Sequence, residues 1–295
     1  MTRKDGRKPS EMRPVEMRAG VIAQADGSAM VKMGRTVAIA AVYGPKEMHP
    51  RRMQKSERAA LKCIYRMVPF STTDRCRPGP NRRSQEISMV IRECLEPTLF
   101  LDEFPKTGIY LYINIIQADA GTRTAAINAA SLALADAGIP MRDLVTSIAA
   151  GKIGKDCMLD LEYKEEEVTE ADIPIAYMPR VKKFTLLQMD GDMPPKDVEA
   201  TIQLAIKGCE ELYDLQRKAL QDRWDVSKRA AKAAPKAAAK PSKEEKEDKK
   251  PVAAKPSEKK SAPKAKAAKK PAQKPSKPSE GKEDKKAETK RGDKK

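Results

Sequence analysis

Apolar and polar residues alternate over several short stretches in the first half of the chain, and turn residues break the pattern at intervals. GVIAQ and SAMVKM, separated by Asp26-Gly27, predict a hairpin, and a second turn at Gly34-Arg35 leads into the strand TVAIAAVYG. Pro45 predicts the end of that strand and KEMHPRRMQKSER a charged loop. Residues 61–70 read as a further strand, and STTDRCRPGPN as a loop by its Pro, Gly, Ser and Asp content. From Arg82-Arg83-Ser84 the period lengthens to that of a helix, with Ile87, Val90, Ile91, Cys94 and Leu95 on one face. Residues 108–116 alternate again as a strand.

The next stretch, QADAGTRTAAINAASLALADAG from Gln117 to Gly138, organises the rest. It reads as a strand end, a tight turn at Asp119-Ala120-Gly121 and a helix capped by Thr122. That helix is apolar almost all round, which predicts burial on every side. Residues 145–150 with 155–161, and 172–178 with 183–189, predict two more hairpins. A last amphipathic helix follows Met193-Pro194-Pro195, with Val198, Ile202, Leu204, Ala205, Cys209, Leu212 and Leu215 inward and Trp224 closing it. Paired strands with interspersed helices and no strict βαβ rhythm predict an α+β domain. Residues 1–12 are polar and basic, a loosely held arm.

Charge divides the chain in two. Residues 231–295 carry 23 Lys/Arg against 10 Asp/Glu, so 13 of the 17 net positive charges lie there. This Lys/Ala/Pro-rich stretch has no aromatic residue and cannot bury enough apolar surface to offset chain entropy. The reading is therefore a globular domain over residues 1–226 and a disordered basic tail over 227–295. Five cysteines without CxxC spacing predict a reducing, cytoplasmic setting rather than a disulfide framework. No leader and no membrane-spanning run is expected. The single histidine, His49, excludes any mechanism that needs two.

Three features carry candidate chemistry. A cation in the first turn of a helix is electrostatically disfavoured, so Arg123 stands out. An anion on Gly121, Thr122 and Arg123 would reverse that sign and make a phosphate seat; the alternative is an ordinary helix start whose arginine pairs with Asp119. Asp172, alone in the acidic run 160–172, directly precedes an apolar strand, where partial desolvation would make it a general acid; the alternative is a solvated acidic loop. Arg82 and Arg83, at a loop-to-helix junction with Arg75 and Arg77 just before, suit phosphodiester oxygens or simply face solvent. Gly151-Lys152 lacks the remainder of a P-loop.

Together these features resemble the RNase PH family, and its archaeal exosome branch in particular. The resemblance runs through DGRKPSEMRP, ADGSAMVKMGRTVAIAAVYGPKEMHPR, VPFSTTDR, RRSQEISMVIRECLE, IIQADAGTRTAAINAASLALADAGIPMRDL, EADIPIAYMP and TLLQMDG, covering roughly residues 4–222. It implies a fold related to the second domain of ribosomal protein S5 and phosphate-dependent 3′→5′ exoribonuclease activity. Inorganic phosphate would be the co-substrate and nucleoside diphosphates the product, with untemplated RNA tailing as the reverse reaction. It places phosphate binding on Gly121, Thr122 and Arg123, RNA binding on Arg82 and Arg83, and the acidic pair on Glu166 and Asp172. No metal ligand is firmly assigned, although Mg²⁺ is compatible. Implied partners are single-stranded RNA, a homologous inactive subunit in a hexameric ring (a trimer of heterodimers) and S1/KH-type cap subunits. Glu166 stands where the family usually has Asp, and Ile64 where relatives tend to have an arginine at the channel neck, with Arg66 nearby. The competing readings are the inactive ring subunit, a stand-alone tRNA-trimming RNase PH, and a basic binding module defined by the tail.

Overall fold

The computed structural model describes residues 3, 5–154 and 156–225. The first sheet has the order β1-β2-β3-β5-β4, formed by β1 (Val15–Ala19), β2 (Gly27–Met33), β3 (Thr36–Glu47), β4 (Ala60–Met67) and β5 (Thr107–Gln117). Its pairs are antiparallel except β4 with β5, which run parallel and are joined through α1 (Arg82–Leu95). The Gly34-Arg35 turn is as expected, closing the pair Met33↔Thr36 with Gly34 at φ 58°.

Two strand expectations change. The partner of β2 is VEMRA, not GVIAQ: Val15, Met17 and Ala19 are half-buried while Glu16 and Arg18 face solvent. Residues 20–26 form the connection. Gly27 lies inside β2, where a Cβ would sit 2.3 Å from the backbone nitrogen of Ala137. It is there to let a helix approach the sheet, not to make a turn. β3 also runs through Pro45 to Glu47, its register with β5 shifting between Tyr43 and Lys46. A sheet tolerates proline at such an irregularity.

The second sheet has the order β10-β8-β6-β7, with β9 also paired to β8. Its antiparallel strands are β6 (Thr146–Ile153), β7 (Asp156–Leu159), β8 (Ala171–Met178), β9 (Lys183–Leu187) and β10 (Asp190–Gly191). The helix α2 (Thr122–Asp136) lies between the sheets, touching β2, β3 and β5 on one side and β6 and β8 on the other. The polar residues in its middle are paired. Asn128 exchanges bonds with the backbone of Ser147 (2.7 and 2.9 Å) and accepts from Gln216, while the Ser131 hydroxyl accepts from the N–H of Val145. Burying an amide without such partners would cost about 1–3 kcal/mol.

A short helix, α3 (Tyr163–Glu166), precedes β8, and the 30-residue α4 (Pro195–Trp224) covers β6, β7 and β1. Of the positions expected inward on α4, Ala205, Cys209 and Leu212 are buried, whereas Val198, Ile202, Leu204 and Leu215 are only half-buried. The seam instead runs over Thr201, Gly208 and Gln216, because Gly208 lets Leu159 and Ile148 press against the helix. Trp224 ends α4 54% exposed, so it does not close the core. Nor are the described residues of the N-terminal arm loose. Arg3 is buried, donating to the Glu165 carboxylate at 2.9 and 3.0 Å and to the carbonyls of Leu159 and Asp160. The expected tail, 227–295, lies outside the described residues. Among those described, no helix is long and apolar enough to cross a membrane.

Candidate active site

The site is built around the mouth of α2. β5 ends at Gln117, and the chain turns through Ala120 and Gly121, both left-handed at φ 55° and 60°. That conformation is free for glycine and costs alanine about 1 kcal/mol. Two buried side chains hold it. The Thr36 hydroxyl accepts from the N–H of Asp119 at 3.0 Å and lies 2.9 and 2.7 Å from the carbonyls of Asp119 and Ala120. Arg13 donates through Nη1 to the Asp119 carbonyl at 2.5 Å, and through Nε and Nη2 to the Asp160 carboxylate at 2.9 and 2.7 Å. With these carbonyls engaged, the first N–H groups of α2 are left without intrahelical partners at the helix mouth.

Gly121, not Thr122, occupies the cap position, and the Thr124 hydroxyl bonds back to the Gly121 carbonyl at 2.8 Å. Thr122 is the first helical residue. It neighbours the phenol of Tyr65, whose pKa burial holds above its usual value and which also feels the charges of Arg83 and Arg123.

Arg123 does not pair with Asp119, whose charge already faces Arg13. It reaches the other way: Nη1 donates to Gln188 Oε1 at 2.5 Å, Nη2 lies 3.4 Å from Glu86 Oε1, and the buried Nε has no partner. Asp172, the second residue of β8, lies opposite Asp190 of β10, and its buried Oδ1 also has no partner. Burial, reinforced by the negative charges of Glu166 and Asp190, pushes its pKa up to about 7 against the lowering influence of Arg123. Arg123 and Asp172 therefore share one electrostatic site. Glu166 is exposed at the end of α3.

Arg82 and Arg83 are the first two residues of α1, both exposed, with no acidic residue in that first turn. Asn81 and Ser84 fix the helix start with reciprocal side-chain bonds of 2.6 and 2.9 Å. Ser88 ties α1 to β4 by accepting from the Tyr65 N–H at 2.9 Å. The preceding loop carries exposed Arg75 and Arg77, and Phe70 at 74% exposure beside a shallow depression lined by Pro69, Thr72, Thr73 and Arg75. It is fastened beside the α2 turn by the bond from Ala118 N–H to the Ser71 carbonyl, 2.8 Å. Ile64 and Arg66 are neighbours on one face of β4, opposite Tyr112 and Asn114 of β5. Among the described residues no three carboxylate, thiol or imidazole groups converge to hold a metal ion.

Residues 11–140 match domain 1 of the RNase PH 3′ exoribonuclease family, and residues 143–208 match domain 2. The chain belongs to the RNase PH family. Its site straddles the two matched segments, with Arg82, Arg83 and Arg123 in the first and Glu166, Asp172 and Gln188 in the second. The chain is 53% identical over 222 residues to the exosome complex component Rrp41 of Methanopyrus kandleri, covering 75% of this chain and 93% of that protein. It is 52% identical over 222 residues to the Pyrococcus furiosus protein of the same name, covering 75% and 89%. The crystal structure of Rrp46 from rice (Oryza sativa) superposes with a TM-score of 0.68 at 25% identity, covering 74% of this chain and all of that one. As an RNase PH-family protein the chain is a phosphorolytic 3′→5′ exoribonuclease, with inorganic phosphate as co-substrate.

Proposed function

We propose that this chain is the catalytic subunit of an archaeal-type exosome, shortening single-stranded RNA from its 3′ end and releasing nucleoside diphosphates. The observation that carries the assignment of roles is the pair of unsatisfied buried atoms, Arg123 Nε and Asp172 Oδ1, in one electrostatic site. A buried polar atom without a partner is expensive, and a bound anion and a reacting oxygen would supply the missing partners.

In this reading phosphate sits at the mouth of α2 on the N–H groups following Gly121, on Thr122 and on the Arg123 guanidinium. Arg82 and Arg83 hold the RNA backbone, and Phe70 offers a face on which a base can stack. A phosphate oxygen attacks the last phosphodiester, the bond to the 3′ oxygen breaks, and Asp172 gives that oxygen its proton. The products are a nucleoside diphosphate and an RNA one residue shorter; run backwards, the same steps add nucleotides from diphosphates. Glu166 contributes its charge, which helps keep Asp172 protonated near neutral pH.

A Mg²⁺ ion would be held by substrate oxygens with Glu166 as the protein carboxylate, Asp172 keeping its proton for the 3′ oxygen. We place the chain in a hexameric ring with a homologous inactive subunit and S1/KH-type cap subunits, in the cytoplasm; the relatives named as exosome components support a ring assembly. Residues 1–226 are the catalytic domain in this reading, and 227–295 add salt-dependent RNA affinity. The test is to incubate the chain, alone and with a homologous partner subunit, with RNA labelled along its whole length and to identify the released nucleotides. Diphosphates should appear only when inorganic phosphate is added. Monophosphates formed in its absence would overturn the reading.

A further inference from the structure

The short contact of Arg123 is to an amide, and its carboxylate contact, to the exposed Glu86, is the long one. Gln188 lies between β9 and β10, and its backbone N–H donates to the Pro174 carbonyl of β8 at 3.2 Å, two residues along from Asp172. Its Oε1 accepts from Arg123 Nη1 at 2.5 Å. One half-buried side chain thus links the strand that carries the acid to the guanidinium at the mouth of α2. The chemistry of the link matters as much as its position. A carboxylate here would form a charge-assisted pair with the guanidinium and spend its positive charge inside the protein. An amide oxygen accepts the same N–H and leaves the charge in place. The carboxylate that Arg123 does meet, Glu86, is exposed and 3.4 Å away, where solvent weakens the pair.

We infer that Gln188 is a positioning residue for the phosphate co-substrate: it aims the Arg123 guanidinium beside the Asp172 strand while leaving its charge and its Nε for the incoming anion. The inference rests on the phosphorolytic reading above. It explains why a neutral residue stands where an arginine partner would ordinarily be acidic. It also sets the distance between nucleophile and acid, because both are referenced to β8.

The test uses the full chain in three forms, wild type, Gln188→Glu and Gln188→Met, with its partner subunit if diphosphate release requires one. Phosphate KM and kcat are measured at saturating RNA, and RNA affinity is measured without phosphate. Gln188→Glu should raise phosphate KM by about 10-fold or more, the scale of a hydrogen bond to a charged group. Gln188→Met keeps the shape and loses the acceptor without adding charge, so it should raise KM less. RNA affinity and the thermal midpoint should not change in either. A residue that only filled space would give equal KM values for the two variants. That result, or a phosphate KM within roughly 2-fold of wild type for Gln188→Glu, overturns the inference and leaves the nuclease reading standing. Failure of the wild-type protein to release diphosphates would remove both.

Discussion

Two arginines flank the turn at the mouth of α2, and they are treated in opposite ways. Arg13 is 5% exposed, and all three of its guanidinium nitrogens are engaged, two by the Asp160 carboxylate and one by the Asp119 carbonyl. Its own backbone N–H also donates to Asp160. Arg123, at the start of α2, has a neutral partner, a long contact of 3.4 Å to the exposed Glu86 carboxylate and an orphaned Nε. A saturated guanidinium is a clamp with nothing left to offer a ligand. An undersaturated one has retained binding capacity. The proposed phosphate site falls on the arginine that is poorly paired, and the well-paired one secures the turn.

The largest expected effect lies with the acid beside that undersaturated arginine. Asp172→Asn should lower phosphorolysis by about 10²–10⁴-fold while RNA binding persists; retained diphosphate release would refute its role. The same change should stabilise the fold, with a defined pH dependence. Because the folded pKa is raised to about 7, the unfolded chain loses this proton first as pH rises from about 4, and folding stability falls until the folded pKa is passed. The variant should therefore unfold like wild type at pH 4 and be more stable by about 2 kcal/mol or more at pH 8. An equal difference at both pH values in denaturant melts would break the assignment.

The two arginines themselves come next. Arg123→Ala should cost about 10²-fold in kcat/KM with little change in stability. Arg13→Ala strands the Asp160 carboxylate and should cost about 3–5 kcal/mol of stability, of which replacing both partners by apolar residues should recover a good part. If Arg13→Ala melts like wild type, or Arg123→Ala unfolds, the contrast fails. Arg82→Ala and Arg83→Ala should act more mildly, each lowering the salt slope of RNA binding by about 0.7–1. The smallest effect belongs to Asp190→Asn. Removing one negative neighbour lowers the Asp172 pKa, so the fall in rate with rising pH should begin earlier, which a pH–rate profile would detect.

Much of this site was legible in the chain because its residues break local rules. Arg123 is a cation where a helix start disfavours one, Asp172 a carboxylate against an apolar strand, and Arg82-Arg83 an uncompensated pair opening a helix. α2 was legible because no polar face interrupts it. The parts that escaped are held by partners remote in sequence. Gln188 looks like any polar residue between two strands, and its meaning appears only when Arg123 is brought beside it, 65 positions away. Asp160 is hidden among neighbouring acids, yet it alone is 1% exposed. The first hairpin was misread because GVIAQ is a short apolar run beside Asp26-Gly27, which looks like a turn, while the strict alternation lies one step earlier, in VEMRA. The glycine answers instead to Ala137, across the molecule.

The clamp has a consequence for how the protein is made. Arg13 and Asp160 are 147 residues apart, so the turn they secure is completed only when a very long loop has closed. A chain emerging from the ribosome has made Arg13 and the α2 turn long before Asp160 and Asp172, so the turn is secured and the buried carboxylate beside Arg123 is supplied only when the later strands dock.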